Sequence, residues 1–194
     1  MKRAIFILTL GLCLLLSDGA HAQRALPAMR GLEIRGGMAD GFYTRDSRSE
    51  TGYWFGLAMN RYAKNADKWV FGAEFLNRYY PYKSERIPVA QFTAEGGYYY
   101  KFLADPSRTF FFYLGGSALA GYESVNRGER RLYDGSTLRH RDRFLYGGAV
   151  TLEIDAYLTD RIILSLTGRE RILWGTTTGH FHAQFGLGVK FIIH

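Results

Sequence analysis

The chain has 194 residues, 47% of them hydrophobic and 22% charged, with a formal net charge of +7 and a pI near 9.5. That length suits one domain, and its single cysteine, Cys13, excludes an internal disulfide framework. No run of 18 apolar residues occurs beyond the N-terminus, which excludes a membrane-spanning helix there.

The N-terminus reads as a secretory signal. Lys2 and Arg3 precede the apolar run Ala4–Leu16, and Ala20-His21-Ala22 offers small residues for cleavage. The predicted signal peptide is 1–22, and the domain is 23–194. Cys13 follows Leu12 inside the apolar run, so it does not match a lipid-attachment site. Export argues against a cytoplasmic nucleic-acid partner for this basic chain and favours anionic lipid or lipopolysaccharide phosphate.

Beyond the signal the recurring period is two, the signature of strands. Eight strands are predicted at 31–43, 52–62, 68–80, 89–101, 109–123, 144–157, 161–172 and 179–193. In the fourth, Ala90, Phe92, Ala94, Tyr98 and Tyr100 oppose Gln91, Thr93, Glu95, Gly97, Tyr99 and Lys101. The fifth carries Phe110-Phe111-Phe112-Tyr113, apolar on both faces, which leaves its inward side open. The sixth sets Tyr146, Gly148, Val150, Leu152, Ile154 and Ala156 against Gly147, Ala149, Thr151, Glu153 and Asp155. The eighth sets Phe181, Ala183, Phe185, Leu187, Val189, Phe191 and Ile193 against His180, His182, Gln184, Gly186, Gly188 and Lys190. Most of these strands reach the ~9–11 residues that a tilted membrane strand needs. Pro27, Pro81, Pro88 and Pro106 fall outside the predicted strands, as central strands require.

Glycine, at 23 residues, exceeds its usual ~7% share. Together with 16% aromatics it suits a narrow barrel with interfacial girdles. The predicted fold is an all-β, antiparallel up-and-down transmembrane β-barrel of about eight strands. Connections at 44–51, 81–88, 124–143 and 173–178 outrun most of those at 63–67, 102–108 and 158–160. That alternation matches outer loops and periplasmic turns. It predicts an outer-membrane location with both termini periplasmic.

Four groups of residues carry candidate functions. Gln184, Gly186, Val189 and Phe191 match the polar-x-Gly-x-x-hydrophobic-x-aromatic pattern read by barrel-insertion machinery, although Ile192, Ile193 and His194 follow. Alternation puts Glu33, Glu74, Glu95, Glu153 and Asp155 inside with Arg35, Lys101, Arg169, Arg171 and Lys190, read as an ion-paired plug in a narrow barrel, with a conducting pore or proton path as the alternative. Loop 124–143 carries Arg127, Arg130, Arg131, Arg139, Arg141 and Arg143, whose planar forks suit phosphate, or simply form a solvated face. His180 and His182 share a strand face without a third metal ligand, and Glu170 with Thr176–Thr178 lies near them without a marked nucleophile. No metal, cofactor or catalytic residue is predicted. Trp54, Trp69, Tyr79, Tyr80, Tyr98, Tyr99, Tyr100, Tyr122, Tyr146 and Trp174 are assigned to aromatic belts.

Several longer runs add a resemblance. Lys68-Trp69-Val70-Phe71-Gly72-Ala73-Glu74, Tyr80-Pro81-Tyr82-Lys83 and Arg86 to Tyr99 resemble the TraO family. So do Ser117 to Glu123, Arg169 to Gly175 and Phe185 to Phe191. The resemblance covers nearly the whole of 23–194. It implies a non-enzymatic envelope component of the conjugal DNA-transfer apparatus of Bacteroides-type conjugative transposons, anchoring or docking the machinery. The implied partners are other conjugal transfer proteins, besides outer-membrane lipid, lipopolysaccharide and the insertion machinery. No DNA is expected to pass through the barrel. The alternatives are a stand-alone barrel that stabilises the envelope or binds lipopolysaccharide, and a lipid-modifying hydrolase.

Overall fold

A computed structural model describes residues 25–40, 52–82, 85–125, 142–176 and 179–193. The predicted signal peptide and residues 41–43 of the first predicted strand lie outside them. Eight strands run in chain order: β1 (Arg30–Ala39), β2 (Gly52–Tyr62), β3 (Lys68–Tyr82), β4 (Glu85–Ala104), β5 (Phe110–Val125), β6 (Asp142–Tyr157), β7 (Ile162–Trp174) and β8 (Phe181–Ile193). Each pairs antiparallel with its neighbours, and β8 pairs with β1, closing the barrel. Closure removes the free sheet edges that lipid could not hydrate.

Strict alternation sorts the side chains. In β2, Tyr53, Phe55, Leu57 and Met59 point out, while Trp54, Ala58, Asn60 and Tyr62 are buried inside. In β5 the question left open by the Phe run resolves: Phe111 and Tyr113 are buried, and Phe110 and Leu114 are exposed. The outward face is thus an apolar band. It is edged by Trp69, Tyr98 and Tyr100 at the end bearing the termini, and by Tyr122, Tyr146 and Trp174 at the other, here called the loop end. Trp69 meets Tyr98 edge-on at 4.9 Å, and Tyr146 stacks near Trp174 at 6.2 Å. Two residues assigned to the belts belong elsewhere. Trp54 and Tyr99 are buried inside, because their positions share the inward parity of Gly56 and Glu95. The side chain of Tyr80 lies outside the described residues.

The β3–β4 hairpin corrects the proline argument. Pro81 and Pro88 lie within strands, and only residues 83–84 separate β3 from β4, rather than the predicted 81–88. Pairing with β2 ends at Asn77, and pairing of β4 with β5 ends at Val89. Beyond those points β3 and β4 pair only with each other, from Tyr79↔Pro88 to Tyr82↔Glu85. There each strand has one unpaired side, the edge setting in which proline is tolerated.

Glycine makes room for large inward side chains. A Cβ on Gly115 would meet the Tyr99 ring at 2.7 Å, and one on Gly186 would collide with the Trp54 ring. At the terminus end the interior is floored by Tyr62, Val70, Phe111, Tyr113, Tyr157, Ile163 and Ile192, with Ala25 and Met29 packed against them. Ile192, beyond the C-terminal aromatic, is therefore part of the floor.

Candidate functional site

Above that floor the barrel is filled with paired charges in two layers. In the lower one, Lys68 and Lys190 both bind Glu153 and Asp155; Lys68 Nζ lies 2.8 Å from Asp155 Oδ2, and Lys190 Nζ 2.6 Å from Oδ1. Glu33 accepts hydrogen bonds from Asn60 and Ser165, each at 3.0 Å. Lys68 Nζ also stands 4.0 Å from the centre of the Tyr113 ring, a cation–π contact with the floor. In the upper layer Arg169 donates to Glu74 (2.6 Å), Glu95 (2.9 Å), Tyr99 Oη (3.0 Å) and Thr151 (3.0 Å), while Arg35 also binds Glu95. Arg35, Arg169, Glu74 and Glu95 are two charges of each sign, so the layer is neutral. Buried ions require such matching.

The predicted inward set is thus largely assembled. Glu33, Glu74, Glu95, Glu153, Asp155, Arg35, Arg169 and Lys190 meet in these layers. Lys101 does not join them. It stands half-buried at the terminus-end rim, where its backbone N–H donates to Asp67 Oδ1 at 2.8 Å. Arg171 is inside and fully buried, but among the described residues none of its three guanidinium nitrogens has a hydrogen-bond partner. Both side-chain polar atoms of buried Gln184 likewise have no partner among the described residues. Sequence reasoning missed Lys68, Arg78 and Glu123 as interior groups. All three have inward parity in their strands, and parity was the available signal.

At the loop end, Asp40 binds Arg78, and His182 Nδ1 lies 3.0 Å from Asp40 Oδ2 and 3.2 Å from Arg78 Nη1. Glu123 accepts from Gln91 (2.7 Å) and Thr176 (2.9 Å). His180 is exposed and turned to the Leu173 carbonyl, whereas His182 is buried. Glu170 has outward parity in β7 and Thr176 is held by Glu123, so neither is gathered at His182; Thr177 and Thr178 lie outside the described residues. Of the arginines in loop 124–143, Arg143 lies in β6 opposite Glu123, half-buried. Arg127, Arg130, Arg131, Arg139 and Arg141 lie outside the described residues.

The C-terminal pattern forms the seam. Gln184 and Gly186 face inward; Val189 and Phe191 face outward and pair across to Ile34 and Leu32 of β1. Gly186 leaves the space that the Trp54 ring occupies, so glycine at this point of the pattern has a packing reason here.

A closed eight-stranded wall, apolar outside and ion-paired inside, defines a β-barrel of the transmembrane type. Solved structures share it. Neisserial surface protein A is 15% identical with a TM-score of 0.55, over 84% of this chain and 95% of that one. Ail, the attachment invasion locus protein of Yersinia pestis, is 10% identical with a TM-score of 0.57, over 87% and 100%. At such identities the likeness concerns the fold. The family model of conjugative transposon protein TraO matches residues 26–193, and the chain belongs to that family. No curated protein matches the sequence.

Proposed function

We propose that this protein is a non-enzymatic outer-membrane component of a conjugative transfer apparatus, anchoring or docking the machinery with both termini in the periplasm. The family supports the link to conjugation. The observation that carries a docking rather than a conducting role is the filled bore: Lys68, Lys190, Glu153 and Asp155 below, and Arg35, Arg169, Glu74 and Glu95 above, leave the axis to side chains. An eight-stranded barrel is just wide enough for such a filling. DNA travels by another route, and this barrel contributes surfaces. Its terminus-end turns meet envelope components, and its loop end meets lipid or the recipient surface.

Gentle detergent extraction from a donor strain tests the reading. Other transfer proteins should co-purify with the tagged barrel and should be lost when the terminus-end turns are replaced. A lone barrel under several mild detergents would overturn docking.

A further inference from the structure

At the terminus end, one row of outward residues breaks the apolar pattern. Arg30 of β1 and Arg61 of β2 are directly opposed in register; Trp69 is next across on β3 and Tyr98 beyond it on β4. Both arginines are exposed, and neither has an ion-pair or hydrogen-bonded side-chain partner among the described residues. Like charges directly opposite on one sheet face repel and destabilise the pair. The nearest carboxylate in the same turn does not relieve this. Asp67 is buried, accepting hydrogen bonds from Tyr98 Oη (2.9 Å) and the Lys101 N–H (2.8 Å).

Beside this pair is a pocket of about 310 Å³ lined by Pro27, Ala28, Arg61, Ala63, Lys64 and Trp69, with Tyr62 behind them. Its wall is fixed. Ala28 donates to the Tyr62 carbonyl and Tyr62 to the Met29 carbonyl, both at 2.9 Å, and Ala28 is held at φ 71°. A non-glycine residue adopts that conformation only under constraint from its surroundings. The pocket thus presents Arg61 and Lys64, with Arg30 alongside, at the level that Trp69 and Tyr98 mark as the edge of the lipid-facing band. One pleat further in, Leu32, Met59 and Phe71 are exposed and apolar.

We propose that Arg30, Arg61 and Lys64 form a binding site for the phosphate headgroup of an anionic glycerophospholipid in the leaflet at the terminus end. The fork geometry of two guanidinium groups matches a phosphate, and the negative charge between them removes their repulsion. The acyl chains lie down the apolar face over Leu32, Met59 and Phe71, and this continuity with the lipid-facing band selects a lipid over a free anion. The proposal rests on the barrel spanning a membrane, so insertion is scored separately in its test.

The full-length protein is folded into nanodiscs of mixed dioleoylphosphatidylglycerol and dioleoylphosphatidylcholine, and the lipids it retains are counted by native mass spectrometry. Heat-modifiable gel mobility reports insertion in every sample. Wild type should retain phosphatidylglycerol in preference to phosphatidylcholine. The double variant Arg30→Gln/Arg61→Gln should insert normally and lose that preference by roughly twenty-five-fold, each cationic side chain at an anionic surface contributing a factor of about five. Arg161→Gln, which removes an exposed cation from the β6–β7 turn, should change nothing. Equal retention of the two lipids overturns the proposal, as does an unchanged preference in the double variant or an equal loss in Arg161→Gln. Displacement of the lipid by excess inorganic phosphate would reassign the site to free phosphate. Failure of wild type to insert would instead strike the membrane reading.

Discussion

Arg169 and Arg171 are two residues apart on β7, both inward and both buried, yet the structure gives them opposite energetic roles. Arg169 makes four hydrogen bonds, to Glu74, Glu95, Tyr99 and Thr151. Arg169→Met leaves Glu74 and Glu95 with only Arg35 and gives the upper layer an uncompensated negative charge. Removing one partner of a buried pair costs about 3–5 kcal/mol. Among the described residues Arg171 makes none of the hydrogen bonds its guanidinium can make. Glu74 and Glu95 attract it, and Arg169 and Arg78 repel it. Arg171→Met removes a buried cation, and a well-packed apolar replacement for a buried charge is often neutral or stabilising. Urea unfolding of the barrel in lipid vesicles, followed by heat-modifiable mobility and tryptophan fluorescence, measures both. The expected order is Arg169→Met well below wild type, with Arg171→Met equal to it or above. Equal losses of several kcal/mol in both variants would refute the assignment of the interior energetics to specific pairs.

Other outcomes follow from the wall and the seam. Leu187→Arg puts a charge on an exposed mid-strand position facing lipid and should cost ~2–4 kcal/mol, seen as lost assembly into membranes. Leu187→Phe should assemble normally. Gly186→Val drives a side chain into the Trp54 ring, and pulse-labelled barrel should accumulate without the compact gel band. Gly186→Val combined with Trp54→Ala should recover part of it. Lys190→Met leaves Glu153 and Asp155 with Lys68 alone and should lower the urea midpoint; Lys101→Met, outside both layers, should not.

Much of the fold was legible because lipid outside and charges inside impose opposite demands on successive residues. The resulting alternation survives in every clean strand, and β2 was placed at its observed bounds. What failed was local. Pro81 and Pro88 read as strand terminators, since the sequence does not show that β3 and β4 outrun their outer neighbours and pair only with each other. Trp54 read as a belt residue because tryptophan is common at interfaces, although parity with Gly56 and Ala58 put it inside. The interior charges were legible by the same parity. Their pairing was not: which carboxylate meets which cation depends on stagger around the closed wall. That stagger binds Lys68 to Glu153 across the barrel, 85 residues apart in sequence. It also leaves Arg171, two residues from the well-paired Arg169, with no side-chain hydrogen bond among the described residues.

The central claim is that this barrel serves conjugation from the outer membrane. The most direct test is transfer frequency from a donor carrying an in-frame deletion of its gene, with and without the gene restored in trans. Transfer should fall on deletion and return on complementation. Complementation with Leu187→Arg, expected not to assemble, should not restore transfer. Transfer at the wild-type frequency without the gene would contradict the account.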